Sequence, residues 1–294
     1  MVTIRKKTIE RKEYFYLEHS FRKNGKVEKK ELYLGKEIPK DIDKIKKEFV
    51  SEIYSETWLN QLDNIKQNYL KEQKKTPPSA KEKELESFMI KFTYNTQRIE
   101  GSKLTLRDTA NLLERGESPK KPLRDIKEAE AHKKAFYEML NHPKDLTLQA
   151  VLQWHKTLLS ETKPDFAGKI RTHGVKISGS KFIPPLVLEL EFLLKEFFDW
   201  YNKNKDKLHP VILSALVHLK FVTLHPFSDG NGRISRLMMN FVLNRNNFPM
   251  LDIPYENRNG YYTALERAQI KKEEKIFLQW FFKRYLKEYK GFLK

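Results

Sequence analysis

His225-Pro226-Phe227-Ser228-Asp229-Gly230-Asn231-Gly232-Arg233-Ile234-Ser235-Arg236 joins an apolar run at 211–224 to a second one at 237–243. Apolar runs of that length on either side of a glycine-rich stretch predict a short loop between two buried helices. Loops held by such a scaffold are where chemistry is placed. The expected fold class is therefore mainly α-helical, a bundle around the 211–244 helix pair.

Each residue type in the loop suits work on a polyphosphate. Gly230 and Gly232 around Asn231 allow positive φ, so that successive N–H groups converge on one concavity at the start of the next helix, where the dipole favours an anion. Arg233 and Arg236 stand three apart on the first turn, and their planar donor forks match phosphate oxygens. Asp229 is a hard oxygen ligand, placed for a magnesium ion that also holds phosphates. His225 titrates nearest neutral pH and can take a proton from an attacking hydroxyl. Phe227 is the apolar plug that pins the loop to the core. A calcium loop is excluded, because Phe227 and Arg233 occupy ligand positions and no closing glutamate follows.

The run resembles the His-Pro-Phe-x-Asp/Glu-Gly-Asn-Gly-Arg-x-x-Arg motif of Fic-domain proteins, with every defined position matched, and the likeness extends over roughly 81–280. The resemblance implies a Fic-type helical bundle. It implies transfer of AMP from ATP, with Mg²⁺, to a Ser, Thr or Tyr hydroxyl of a target protein, with His225 as base and Asp229 on the metal. Gly230, Asn231, Gly232, Arg233 and Arg236 would hold the phosphates. The same site can in principle remove AMP, and a nucleic-acid or partner-binding protein with a Fic scaffold is the rival from another class.

At 39% hydrophobic and 12% aromatic residues the 294-residue chain can bury a sizeable core. The formal net charge of +18 favours anionic partners: nucleic acid, anionic lipid or acidic protein. With no cysteine, disulfides and thiolate metal sites are excluded. Residues 1–7 lack an apolar signal core and no run approaches eighteen apolar residues, so a soluble cytoplasmic protein without membrane contact is expected.

In chain order, residues 13–34 alternate with period two about Asn24-Gly25, which predicts a hairpin with a type I′ turn in a small β module at 1–38. Arg22, Lys23, Lys26, Lys29 and Lys30 around that turn would suit nucleic acid or a partner. A helical region follows at 39–75, Pro77-Pro78 breaks it, and the catalytic domain is placed at 80–294. The helix from Ala80 ends at Thr96-Gln97-Arg98-Ile99-Glu100-Gly101. A glutamate at that end opposes the macrodipole and needs an outside partner. The segment resembles the inhibitory motif of Fic proteins, so the resemblance implies that Thr96, Glu100 and Gly101 form a regulatory element with Glu100 holding Arg236.

Thr105 with Asp108 caps a helix ending near Gly116. Helices follow at 122–141 and 147–160, in which His132 and His155 are packing or capping residues. The 166–185 stretch turns at Ser178-Gly179-Ser180 and reads as a β-hairpin. By resemblance it is the flap, presenting the target as an added strand along 173–183. Helices at 186–200 and 210–223 lead back to the loop, with His209 and His218 structural. Tyr261-Tyr262 resembles the aromatic pair that covers adenine in family members, although Gln269 replaces the asparagine found seven residues on. Trp280, Phe281, Phe282 and Tyr285 are core aromatics of a last helix. The reading leaves open a homodimer.

Overall fold

The computed structural model describes residues 2–23 and 26–293, and the chain forms two compact units, Met1–Asn64 and Ile65–Lys294. In the first, β1 (Val2–Ile9), β2 (Lys12–Lys23) and β3 (Lys26–Gly35) make an antiparallel sheet in the order β1-β2-β3. Ile4, Leu17 and Leu32 stand opposite one another across it. Leu17 is fully buried against Phe49, with Val2, Ile4, Leu34, Ile42 and Ile45 around it, so α1 (Ile42–Lys75) covers one face with its first turns. The predicted hairpin is β2–β3; its Asn24-Gly25 turn lies outside the described residues. The first strand was not expected. It closes on β2 through Glu10 and Arg11, both in the left-handed region at φ 50° and 62°, and neither residue type signals a turn that needs positive φ.

The other face of the sheet carries Tyr33 in contact with both Tyr14 and Tyr16, with Lys7 4.7 Å above the Tyr16 ring. Three of its cations have acidic partners within the sheet. Arg5 and Lys29 each lie 3.3 Å from a Glu18 oxygen, and Lys7 lies 2.6 Å from Glu31.

The second unit is helical: α2 (Pro78–Ile99), α3 (Leu106–Arg115), α4 (Leu123–Leu140), α5 (Leu148–Leu159), α6 (Leu190–Asn204), α7 (Pro210–Leu224), α8 (Asn231–Arg245), α9 (Arg258–Lys271) and α10 (Glu274–Glu288). Starts and stops follow local chemistry. Thr105 and Asp108 form the predicted reciprocal cap of α3, Gly116 ends it at φ 71°, Thr147 caps α5, and Pro210 opens α7. α7 is apolar on nearly every side and α8 is buried along most of its length, which makes them the central pair. Phe221 of α7 and Leu237 and Met238 of α8 share one buried core with Phe92, Phe136 and Trp154.

The 173–183 segment departs from expectation. It turns at Gly179, φ 75°, with the Ser180 N–H donating to Ile177 O, but no strand forms there; among the described residues the strands all belong to the N-terminal sheet. Pro184 and Pro185 supply no N–H to a ladder, so the two arms lack the pairing a hairpin requires.

One buried acid bears on stability. Asp252, just before α9, is 2% exposed. It takes a hydrogen bond from Asn95 Nδ2 at 2.5 Å, and its other oxygen has no partner. Burial raises its pKa to about 7, against the opposing effect of Lys91. The folded state therefore binds a proton that the unfolded chain has lost, and stability falls as pH rises between the ordinary carboxyl value and about 7. The slope should approach roughly 1.4 kcal/mol per pH unit. Thermal melts at pH 5 and pH 8 are expected to show a loss for the wild type that Asp252→Asn largely removes.

Candidate active site

α7 ends in His225, whose backbone is left-handed at φ 47° and ψ 53°. A non-glycine residue there costs roughly 1–3 kcal/mol and persists only when its surroundings hold it. Phe227 supplies part of that hold. It is fully buried, its ring stacks on His155 at 3.7 Å and 7°, and the Phe221 ring lies 5.9 Å away. The Asn231 side chain spans the loop, accepting from Phe227 N at 2.9 Å and donating to Phe227 O at 2.8 Å. Asn231 is thus a brace whose amide is spent inside the loop, leaving only its backbone for an anion.

His225 Nδ1 lies 3.2 Å from Val222 O. A carbonyl only accepts, so Nδ1 carries the proton and Nε2 keeps its lone pair. Burial lowers the pKa of this ring below its ordinary value, the Val222 bond opposes, and the charge of Arg171 lowers it further. The imidazole is therefore neutral at neutral pH, the state a general base needs.

Gly230 starts α8 at φ 80°, and a Cβ there would meet His155 Nε2 at 3.2 Å. Gly232 was also expected at positive φ. It lies inside α8 with ordinary helical backbone, and its glycine is required for another reason: a Cβ would come within 2.6 Å of Glu100 Oε1 and 3.1 Å of Arg236 Nη1.

Asp229 takes hydrogen bonds from Lys163 and from its neighbour Gly230 N, and Arg233 Nη2 reaches it at 3.1 Å. Burial works to raise its pKa, but Arg233 and Lys163 hold it down at about 2. Asp229 is an ionised carboxylate already engaged by two cations. Among the described residues no group of three or more His, Asp or Glu side chains forms a metal cluster. One carboxylate nevertheless fits a magnesium ion, which takes most of its ligands from phosphates and water, provided the Lys163 ammonium gives way.

The two arginines are the most deeply placed charges of the site, each 1% exposed. Arg233 Nη1 binds Glu128 Oε2 at 2.6 Å, with Gln97 Oε1 at 3.4 Å. Arg236 Nε donates to Thr96 Oγ1 at 2.6 Å, and its Nη2 meets Glu100 Oε1 at 2.6 Å. The Glu100–Arg236 contact implied by resemblance is therefore present. Glu100 caps the end of α2, and Gly101 at φ 97° turns the chain away.

Tyr261 corrects an expectation. Its ring is 1% exposed and packed among His218, Phe277 and Trp280, so it has no free face for a base. Arg236 Nη1 donates to its hydroxyl at 3.4 Å, and that oxygen lies 2.9 Å from His218 Nε2. Tyr262 remains 44% exposed, its hydroxyl donating to Ile99 O at 3.1 Å. Gln269 donates to Thr223 Oγ1 at 3.2 Å. His155 proves to support the loop, bonding Asp229 O through Nε2 and accepting Gly168 N at Nδ1, both at 2.9 Å.

Glu128, Lys163 and Arg171 are site residues that sequence reasoning did not assign. Glu128 left a signal: it lies on the buried stripe of α4 beside Ile126, Ala129 and His132, and a carboxylate there demands a cation.

Residues 145–243 match the Fic/DOC family. A Fic domain-containing signalling protein from Bacteroides thetaiotaomicron superposes with a TM-score of 0.69 at 28% identity, over 79% of this chain and 96% of that one. Fic-1 of C. elegans (residues 134–508) gives 0.73 at 26% identity, over 84% and 73%. The fold of the helical unit is thus Fic-type. The curated relatives include a protein adenylyltransferase Fic from Nematostella vectensis, 34% identical over 181 residues, and another from Drosophila melanogaster, 35% identical over 185. Each match covers 60% of this chain but only 42% and 36% of the relative, so the chain spans about two-fifths of their length. Among the described residues no helix is long and apolar enough to cross a membrane.

Proposed function

We propose that this protein transfers AMP from ATP to a Ser, Thr or Tyr hydroxyl of a target protein, and that Glu100 holds it in a low-activity state. The observation that carries the reading is His225 Nε2, an unprotonated nitrogen on a neutral ring, beside a helix N-terminus opened by Gly230 and Gly232. The names of the curated relatives point the same way.

In this reading the N–H groups of 231 and 232 and Arg236 hold the phosphates, while Arg233 fixes Asp229. The target hydroxyl gives its proton to His225 Nε2 as its oxygen bonds to the α-phosphorus, and the bond to pyrophosphate breaks. Magnesium, when bound at Asp229, would neutralise phosphate charge and help align ATP. The unpaired 173–183 segment suits a target laid alongside it as an added strand. Tyr262 is the aromatic residue left to cover the adenine.

Incubation with α-labelled ATP, UTP and GTP and Mg²⁺, with and without cell lysate, tests the proposal on the wild type and on Glu100→Gly. Covalent label from ATP is expected, and its absence from both proteins under every condition would discard the reading. Asp229→Ala is expected to lose magnesium-stimulated transfer, since its carboxylate is the only acid in the loop. Transfer with an unaltered Mg²⁺ titration would remove Asp229 from the metal role.

A further inference from the structure

We propose that Arg171 is a positioning residue that locks the backbone of His225 and both ends of the 173–185 segment into one unit. Its side chain donates to three carbonyls: Nε to His225 at 2.8 Å, Nη1 to His173 at 3.0 Å and Nη2 to Pro185 at 2.7 Å. Its own N–H donates to Pro226 O at 2.9 Å. The residue is 3% exposed, and burial alone accounts for its lowered pKa. A buried cation is retained where its donors are satisfied. Here carbonyls satisfy them, and those carbonyls belong to the catalytic loop and to the flap.

The geometry explains how a strained residue is kept in register. The direction of the His225 carbonyl is set by ψ in the left-handed conformation, and Nε of Arg171 holds that oxygen. His173 and Pro185 bracket the segment that would carry the target, so a strand laid on it pulls on the same guanidinium that fixes the base. This coupling rests on the proposed transfer reaction. A second consequence is electrostatic. Besides burial and the Val222 carbonyl, the charged groups acting on His225 are Arg171, which lowers its pKa, and Glu100 and Asp229, which raise it. Arg171 therefore helps to keep the base neutral.

The test uses the full chain carrying Glu100→Gly, with Arg171→Lys or Arg171→Gln added. Three readouts are taken: self-labelling from α-labelled ATP, NMR titration of the His225 ring, and amide exchange over 172–186. Lysine keeps the charge but cannot reach three diverging carbonyls. It should leave the titration in place and speed amide exchange. The labelling rate at saturating ATP should fall at least about tenfold, with KM for ATP held within about twofold. Glutamine should also move the His225 titration upward. Parent-level labelling and exchange in the lysine variant would overturn the proposal, as would an unmoved titration in a folded glutamine variant. If the glutamine variant gives no cooperative melt, the lysine labelling and exchange decide. A Glu100→Gly parent that never labels would sink the transfer reaction instead, and the titration and exchange would still judge Arg171.

Discussion

His225→Ala is expected to abolish label transfer while leaving ATP binding largely intact. The loss should be roughly 10²–10⁴-fold, the usual contribution of a positioned base. The N–H groups at the start of α8 and Arg236 are separate from the imidazole, so affinity measured by calorimetry should change little. Because the folded environment lowers the pKa of this ring, the wild-type rate should rise with pH as the ring loses its proton, with a midpoint below the ordinary histidine value. A variant that retains near wild-type transfer, or a wild-type profile still climbing well above neutrality, would show that His225 is not the base.

Glu100→Gly is expected to raise self-labelling or target labelling at least about a hundredfold. Glu100 Oε1 lies 2.6 Å from Arg236 Nη2 and as close to the point a Cβ on Gly232 would occupy. The carboxylate therefore covers the first turn of α8, where an anion is otherwise favoured. It brings like charge and bulk to the place proposed for a phosphate. A shift of about 1 Å in the reacting phosphorus can cost on the order of a hundredfold in rate, which sets the size of the gain. Arg236 should stay in place after the change, because Thr96 Oγ1 still holds its Nε at 2.6 Å. Arg236→Ala added to Glu100→Gly is then expected to be inactive. Equal labelling by wild type and Glu100→Gly would reduce Thr96–Gly101 to an ordinary helix end. If the wild type strips AMP from a modified protein and the variant does not, Glu100 serves removal, and the main activity runs in reverse.

Much of the fold was legible because its signals are local. The Thr105–Asp108 cap, the Gly116 stop and the Pro210 start each act within one turn of chain, and the 211–243 apolar runs announce a buried pair wherever they are placed. The misses are non-local or contrary to composition. The first strand closes through Glu10-Arg11, residues that rarely accept positive φ. The 166–185 stretch has the turn of a hairpin, but its prolines withhold the donors a ladder needs.

The sequence by itself determined which groups the His225–Arg236 loop would contain, since a histidine, a carboxylate, two glycines and two arginines within twelve residues carry the chemistry expected of an anion site with a base. Only the tertiary structure decided what those groups are tied to. Glu128 from α4 takes Arg233, Glu100 from α2 takes Arg236, and Lys163 takes Asp229. Tyr261, next to Tyr262 in the sequence and 5.5 Å from its ring, is buried where Tyr262 is exposed and spends its hydroxyl between Arg236 and His218. The reason is electrostatic and steric. A guanidinium 1% exposed must find its counter-charge within hydrogen-bond reach, and packing alone determines which distant carboxylate arrives there.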